Sequence, residues 1–473
     1  MNRSYRILQL DPGQKYFIEK MLTNDCFGIF MRQGTGKTLT VLEALRQMKD
    51  RGDFGTVLIL SPIICIKNVW EKELTDWSYP FSYHIARDSG LKKVPENRDI
   101  YIASNDIVSS KKYAIPLLMV VKPKILIVDE SSKYRNYSSK RTRNLINILF
   151  STKRKGRKIL EIKRRIKKTY ILSGTPRPRH IENLWSQILL LDAGDRLGRN
   201  ITHFRNQFGL IYNEARHEYV VPPGAETSVY SKIKDIAESR ASIYDANILY
   251  RDVFCSFSDS EYARYRKFVK DSVLTLPKNE RFIATDIAAK TAKLRQLSSG
   301  AFYVHDENDD RRIEFFSLCK LQAFSEFIEA QLNEPTLVGY AYTHEAERMI
   351  HVLEKLGKTY GWIRGAALHT RDEIIRKWNN KELDVLIGHP AAMAHGLNLQ
   401  HGGATILWFS PPPSSSFELY DQFNARLNRK GQTKQVIVHH LVNSKSYDPR
   451  AYRTVRNKEN ANKTYLEYIK AEF

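Results

Sequence analysis

The chain lacks any run of about 18 apolar residues, so no membrane-spanning helix is expected. Its opening residues, MNRSYRILQLDPGQ, have no apolar centre of the kind a secretory signal needs, which points to the cytoplasm. Cysteine is scarce and scattered: Cys26, Cys65, Cys255 and Cys319 form no CxxC pair and have no histidine at zinc spacing. A disulfide framework and a metal knuckle are thereby set aside in favour of buried free thiols. There is no internal repeat. Acidic residues are in deficit, 52 Asp+Glu against 75 Lys+Arg, for a net charge of +23. That surplus favours a polyanion partner without saying which one.

What is present is a length of 473 residues, too long for one ordinary core, with the 42% hydrophobic content usual for a soluble globular chain. In residues 1–225, the runs Thr56–Leu60, Asp99–Ser104, Lys124–Asp129 and Thr169–Ser173 are rich in β-branched residues and alternate with amphipathic segments. This is βαβ patterning around a buried parallel sheet. Residues 226–284 are expected to be a connector, mainly helical, with a helix over Asp259–Asp271. Residues 285–473 form a second α/β block with a charged tail. It has helical patterns at Ala288–Leu297, Leu318–Gln331 and Ser416–Lys430, and strands at Thr336–Ala341, Asp384–Gly388, Thr405–Ser410 and Gln435–Val442. Trp408 and Phe409 alternate within a strand and are expected in the core. His389, His395, His401, His439 and His440 are expected to serve packing and hydrogen bonding.

One segment breaks the rhythm. Ser151–Lys168 carries ten Lys/Arg and one Glu between two expected strands. Two readings are open: a solvated charged excursion, or a finger that tracks phosphates through Lys153, Arg154, Lys155, Arg164 and Arg165.

Met31-Arg-Gln-Gly-Thr-Gly-Lys-Thr38 has the form of a phosphate-binding loop. Gly34 and Gly36 allow a sharp turn, Thr35 lies between them, Lys37 supplies a cation for the outer phosphates, and Thr38 a hydroxyl for Mg²⁺. Leu39–Lys49 has helical spacing, so the loop would open a helix at its N-terminus. Met31 stands where the full pattern has glycine, and a Gly-Thr-Gly turn before an ordinary helix is the plainer alternative. The run Ile125–Val128 ends in Asp129-Glu130. Asp129 suits Mg²⁺ and Glu130 the orientation of an attacking water. Gln422, Arg426 and Arg429 are spaced i, i+4, i+7, so a helix would put them on one face. Such a face suits a γ-phosphate, or solubility and DNA contact.

Taken in order, these segments resemble the superfamily-2 helicase-type ATPases of the Swi/Snf-like branch, most of all its compact bacteriophage members. Leu10-Asp-Pro-Gly-Gln14 resembles the upstream glutamine motif, which implies that Gln14 reads adenine. MRQGTGKT is motif I. Leu58-Ile-Leu-Ser-Pro62 with Trp70-Glu71 resembles motif Ia, and Ser104-Asn-Asp106 motif Ib. Asp129-Glu-Ser-Ser resembles motif II, and Leu172-Ser-Gly-Thr-Pro176 with Glu182-Asn-Leu-Trp185 motif III. Lys293–Gly300 matches the segment before the second lobe's motifs. Gly388-His-Pro390 with His395-Gly-Leu-Asn-Leu-Gln400 resembles motif V, and Gln422–Gln432 motif VI. Met31 and Arg32 replace the acidic pair common in the branch.

The resemblance implies two RecA-like parallel-sheet lobes in tandem, with ATP and Mg²⁺ held in the cleft between them. It implies that Ser173, Gly174 and Thr175 couple the nucleotide state to a nucleic-acid groove lined by Ser61, Pro62, Asn105, Gly396 and Asn398. The expected activity is ATP-driven translocation on duplex or branched DNA. The alternatives are a strand-separating helicase on DNA or RNA, and a non-catalytic basic nucleic-acid-binding protein that keeps the fold.

Overall fold

The structure is a computed structural model. It describes residues 10–32, 34–86, 94–150, 165–177, 180–214, 218–239, 248–275, 281–283, 286–305, 311–331, 334–364, 368–393, 397–413, 416–429 and 431–468. The chain divides into two compact units, Met1–Asp245 with Lys458–Phe473, and Ala246–Asn457.

The first unit is built on seven strands: β1 (Cys26–Phe30), β2 (Val57–Ser61), β3 (Tyr83–Ala86), β4 (Ile100–Ser104), β5 (Ile125–Asp129), β6 (Lys168–Ser173) and β7 (Ala237–Ser239). Their spatial order is β3-β4-β2-β5-β6-β1-β7, and every neighbouring pair is parallel. Side chains alternate between faces. Leu58, Leu60, Leu126 and Val128 enter one core, and Val57, Ile59, Ile125 and Ile127 enter the other. Helices cover both faces, which is why these strands read as unbroken apolar runs.

The second unit repeats the plan with β8 (Leu249–Cys255), β9 (Thr336–Gly339), β10 (Tyr360–Ile363), β11 (Val385–Gly388), β12 (Thr405–Trp408) and β13 (Ile437–Asn443). The order is β8-β13-β12-β9-β11-β10, again all parallel. Trp408 and Phe409 are fully buried, in cores on opposite faces. The fold class read from the sequence, two RecA-like parallel-sheet lobes in tandem, is the one observed. All four cysteines are free. Among the described residues, no helix is long and apolar enough to cross a membrane.

The stretch 226–284 is more than a helical connector. It holds the expected helix Asp259–Asp271, but it also lends β7 to the first sheet and β8 to the second. β8 escaped notice because it is an edge strand, mostly exposed, whose Arg251 and Asp252 interrupt the apolar run. The helix expected over Ser416–Lys430 runs only from Phe417 to Asn424.

Parallel pairing also sets the functional edge. Phe30 is in register with Ser173, Leu172 with Asp129, Val128 with Leu60, and Ser61 with Ser104. The carboxyl ends of five strands therefore stand side by side, where open α/β sheets bind ligands.

Candidate nucleotide and metal site

β1 runs into the loop. Gly34 and Gly36 take φ of 78° and 83°, left-handed values that only glycine adopts freely. Gly36 caps the helix Lys37–Asp50, and its carbonyl accepts from the Thr40 amide and hydroxyl, both at 3.0 Å. The Lys37 ammonium donates to the carbonyls of Met31 (2.9 Å) and Arg32 (3.1 Å), and the Thr35 hydroxyl to Arg32 (2.8 Å). The Met31 side chain is buried in the core, and Met31 is not among the described residues with positive φ. Its position asks for no glycine, so the departure from the full pattern costs the loop nothing. The Thr38 hydroxyl is half-buried and has no protein hydrogen-bond partner among the described residues.

Gln14 supports this loop from beneath. It sits at N3 of the helix Pro12–Thr23 in a capping box: its amide N–H donates to Asp11 Oδ1 at 2.8 Å, and its Oε1 accepts from the Asp11 N–H at 3.0 Å. Its Nε2 donates to the carbonyls of Thr35 (3.4 Å) and Gly36 (3.5 Å). The structure thus ties the side chain expected to read adenine to the backbone of the phosphate loop.

β5 ends in Asp129, whose carboxylate is held by three donors. Oδ2 accepts from Ser61 Oγ (2.8 Å) and Trp70 Nε1 (2.9 Å), and Oδ1 from the Glu130 N–H (3.0 Å). Its backbone carbonyl accepts from Asn105 Nδ2 at 3.0 Å. Asn105 Oδ1 accepts in turn from the Tyr134 hydroxyl at 2.9 Å, a phenol that complete burial keeps protonated by pushing its pKa up. Both side chains, Ser61 and Asn105, are buried and spend their donors on Asp129. Pro62 is buried as well and caps the short helix Ile63–Cys65. Glu130 has φ 52° and ψ 56°, a left-handed conformation that costs a non-glycine residue roughly 1–2 kcal/mol.

Ser173 ends β6, the strand beside Asp129's, and Thr175 lies two residues beyond it. The Thr175 N–H donates to Ser173 Oγ at 3.1 Å, while Thr175 Oγ1 is buried with no partner among the described residues. Gly174 lies between them. Gln187, on the helix Glu182–Asp192, is a residue the sequence reading missed. Its Oε1 accepts from Ser131 Oγ (2.8 Å), and its Nε2 donates to the carbonyls of Pro176 (2.7 Å) and Asn183 (2.6 Å). It ties the segment after Asp129-Glu130 to the segment after β6. Nothing in its local pattern marks it, since it looks like one polar residue on an apolar helix.

In the second unit, Gln422 lies in the helix Phe417–Asn424, while Arg426 and Arg429 lie beyond its end, so the three do not share a helical face. The two arginines converge by another route. Arg426 Nη1 and Arg429 Nη1 both donate to the Leu397 carbonyl, at 3.2 and 2.9 Å, and Arg426 Nε to the Gln422 carbonyl at 2.9 Å. The Gln422 Nε2 is buried without a partner among the described residues. Asn398 is exposed. Arg165 is half-buried just before β6. Gly396, Lys153, Arg154, Lys155 and Arg164 lie outside the described residues.

The donor set fits Mg²⁺. Thr38 and Asp129 present hard oxygen ligands, and Mg²⁺ is held by one or two such groups together with phosphate oxygens and water. Among the described residues, no cluster of three or more His, Cys, Asp or Glu could hold a metal ion on its own.

A glycine-turned loop that opens a helix and a fixed strand-end carboxylate two strands away thus share the carboxyl edge of one parallel sheet. Residues 17–297, more than half of the chain, match the model of the SNF2-related domain, and the chain belongs to that family. It is similar to putative protein p41 of Acyrthosiphon pisum secondary endosymbiont phage 1, 25% identical over 462 residues that span 92% of this chain and 93% of the relative. It is also similar to the CHD3-type chromatin-remodeling factor PICKLE of Arabidopsis thaliana, 21% identical over 474 residues, 90% of this chain but 32% of that protein. Among solved structures it resembles the Sulfolobus solfataricus SWI2/SNF2 ATPase core in complex with dsDNA, at 19% identity and a TM-score of 0.45, over 98% of this chain and 94% of the other.

Proposed function

We propose that the protein is a DNA-dependent ATPase that turns ATP hydrolysis into movement along double-stranded DNA. The observation that carries this is the first sheet's carboxyl edge, where the Gly34–Lys37 loop, Ser173–Thr175 and Asp129-Glu130 end adjacent strands. The Gly34–Gly36 backbone cradles the phosphates, and Lys37 exchanges the carbonyls of Met31 and Arg32 for phosphate oxygens. Thr38 and Asp129 would hold Mg²⁺, which would supply charge neutralisation to the phosphates. Glu130 orients the attacking water. Arg426 and Arg429 are cations suited to a γ-phosphate, and the Gln422 carbonyl holds Arg426. Ser173–Thr175 relay the nucleotide state, with Gln187 as the link to the Asp129-Glu130 segment.

Family membership and the +23 charge support DNA as the partner. The physiological work would be the remodelling of forks, junctions or bound proteins in replication, recombination or repair. Its compartment would be the cytoplasm, that of a host if the chain is phage-encoded.

The test is the ATPase rate against duplex, single-stranded, forked and four-way-junction DNA and RNA, with Lys37→Ala as the control. Duplex or branched DNA should stimulate most, and Lys37→Ala should abolish hydrolysis while keeping DNA binding at low salt. Equal or greater stimulation by single strands, with displacement of an annealed oligonucleotide, makes the protein an unwinding helicase instead. Wild-type turnover in Lys37→Ala removes the site assignment.

A further inference from the structure

We propose that Trp70 is a positioning residue that fixes the metal-holding carboxylate and makes its geometry depend on the segment following β2. The inference rests on the functional reading above. Trp70 is fully buried, and its indole N–H is shared between Asp129 Oδ2 at 2.9 Å and Ser61 Oγ at 3.1 Å. Ser61 sends its own proton to the same Oδ2 at 2.8 Å. An aspartate χ2 is otherwise a broad, two-fold torsion. Two donors on Oδ2 and one on Oδ1 leave the carboxylate plane a single setting, with Oδ1 the less occupied oxygen and the one offered to a cation.

The segment that carries Trp70 is unusual. Ile66–Glu71 is a π-helical turn between short helices Ile63–Cys65 and Lys72–Asp76, closed by a bond from the Lys72 N–H to the Lys67 carbonyl. Such turns hold one residue more than an α turn, are rare, and concentrate at functional sites. Here the wide turn brings Trp70 onto Asp129 while the same segment keeps an outward face. Ile63 is 68% exposed, and Lys67 is exposed. An apolar side chain and a cation on the outside, and a donor to the catalytic carboxylate on the inside, make one short lever. A nucleic-acid backbone that loads Ile63 and Lys67 acts on Asp129 through the indole N–H. The Ser61 and Pro62 side chains, which are buried, take no part in that contact.

The experiment compares the full-length wild type, Trp70→Phe, and a chain carrying benzothienylalanine at position 70, an isostere of indole without the N–H. Three quantities are read: the affinity for a fluorescent non-hydrolysable ATP analogue as Mg²⁺ is titrated, the affinity for duplex DNA, and the stimulation of ATPase by that duplex. Loss of one hydrogen bond to a charged acceptor predicts about a tenfold rise in the Mg²⁺ needed for tight nucleotide binding and about a tenfold loss of stimulation. Nucleotide affinity without Mg²⁺, and duplex affinity, should stay within about twofold of wild type. Wild-type Mg²⁺ dependence and stimulation in the isostere overturn the proposal, and the isostere decides if Trp70→Phe misfolds. A wild type that DNA does not stimulate defeats the functional reading instead, and the Mg²⁺ titration then still tests the hold of Trp70 on Asp129.

Discussion

The side-chain amide nitrogen of Gln14 stands 2.4 Å from where a β-carbon on Gly36 would sit. Gly36 is thus required twice, by its φ of 83° and by the glutamine beneath it. Gly36→Ala should expel Gln14 from its bonds to Thr35 and Gly36 and remove nucleotide binding. In thermal unfolding, ATP with Mg²⁺ should raise the Tm of the wild type and leave that of Gly36→Ala unmoved. Gln14→Ala should cost about 1 kcal/mol of stability through the lost capping box and weaken nucleotide binding without abolishing it.

Gln187 bridges Ser131 and Pro176, so Gln187→Leu should strand the buried Ser131 hydroxyl and the Pro176 carbonyl. Urea unfolding should show a loss of roughly 1–3 kcal/mol. If the bridge also couples the two strand ends, DNA stimulation of the ATPase should fall while basal hydrolysis persists. An unchanged stimulation ratio would confine Gln187 to a structural role.

His344 is fully buried, and neither ring nitrogen has a hydrogen-bond partner among the described residues. Burial first, then the nearby Arg348 and Arg311 cations, push its pKa down to about 3. The unfolded chain takes up a proton at this histidine below about pH 6.5, and the folded chain does not. Its contribution to stability is therefore complete above that pH and is lost progressively as the pH falls towards 3. His344→Leu should flatten the acid side of the stability curve, measured by denaturant unfolding between pH 7.5 and pH 4. It should also leave stability at neutral pH equal or higher, since two unpaired nitrogens are removed.

The basic run beginning at Lys153 lies outside the described residues, and its role rests on charge. Lys153→Glu, Arg154→Glu and Lys155→Glu together should reduce the slope of log affinity for duplex DNA against log salt by up to about three, with basal ATPase unaltered. An unchanged slope would leave the segment a solvated excursion.

Much of this protein was legible locally. Val57–Ser61, Ile100–Ser104, Ile125–Asp129 and Lys168–Ser173 are strands buried on both faces, so their apolar runs announce them within a residue or two. The phosphate loop and Asp129-Glu130 are equally local, since a glycine turn before a helix and an acid pair after a strand need no distant partner to be seen. β3, β8 and β10 were not legible, being short or at sheet edges, where half-exposure dilutes the pattern.

The tertiary structure decided which polar residues serve the site and which way they face. Ser61 ends a strand and Asn105 directly follows one at the same carboxyl edge as Asp129, and nothing local says whether such a side chain turns outward or inward to Asp129. Both turn inward, Ser61 to the carboxylate and Asn105 to the backbone carbonyl of Asp129. Trp70 belongs to a segment that resembles motif Ia, yet only the fold shows its N–H reaching a partner 59 positions along the chain. Arg426 and Arg429 have helical spacing, yet the helix stops at Asn424, and the Leu397 carbonyl gathers them instead. Periodicity reports only a residue's own element. Hydrogen bonds between elements are chosen by burial, because an unpaired polar atom inside the protein must find whatever partner the packing brings to it.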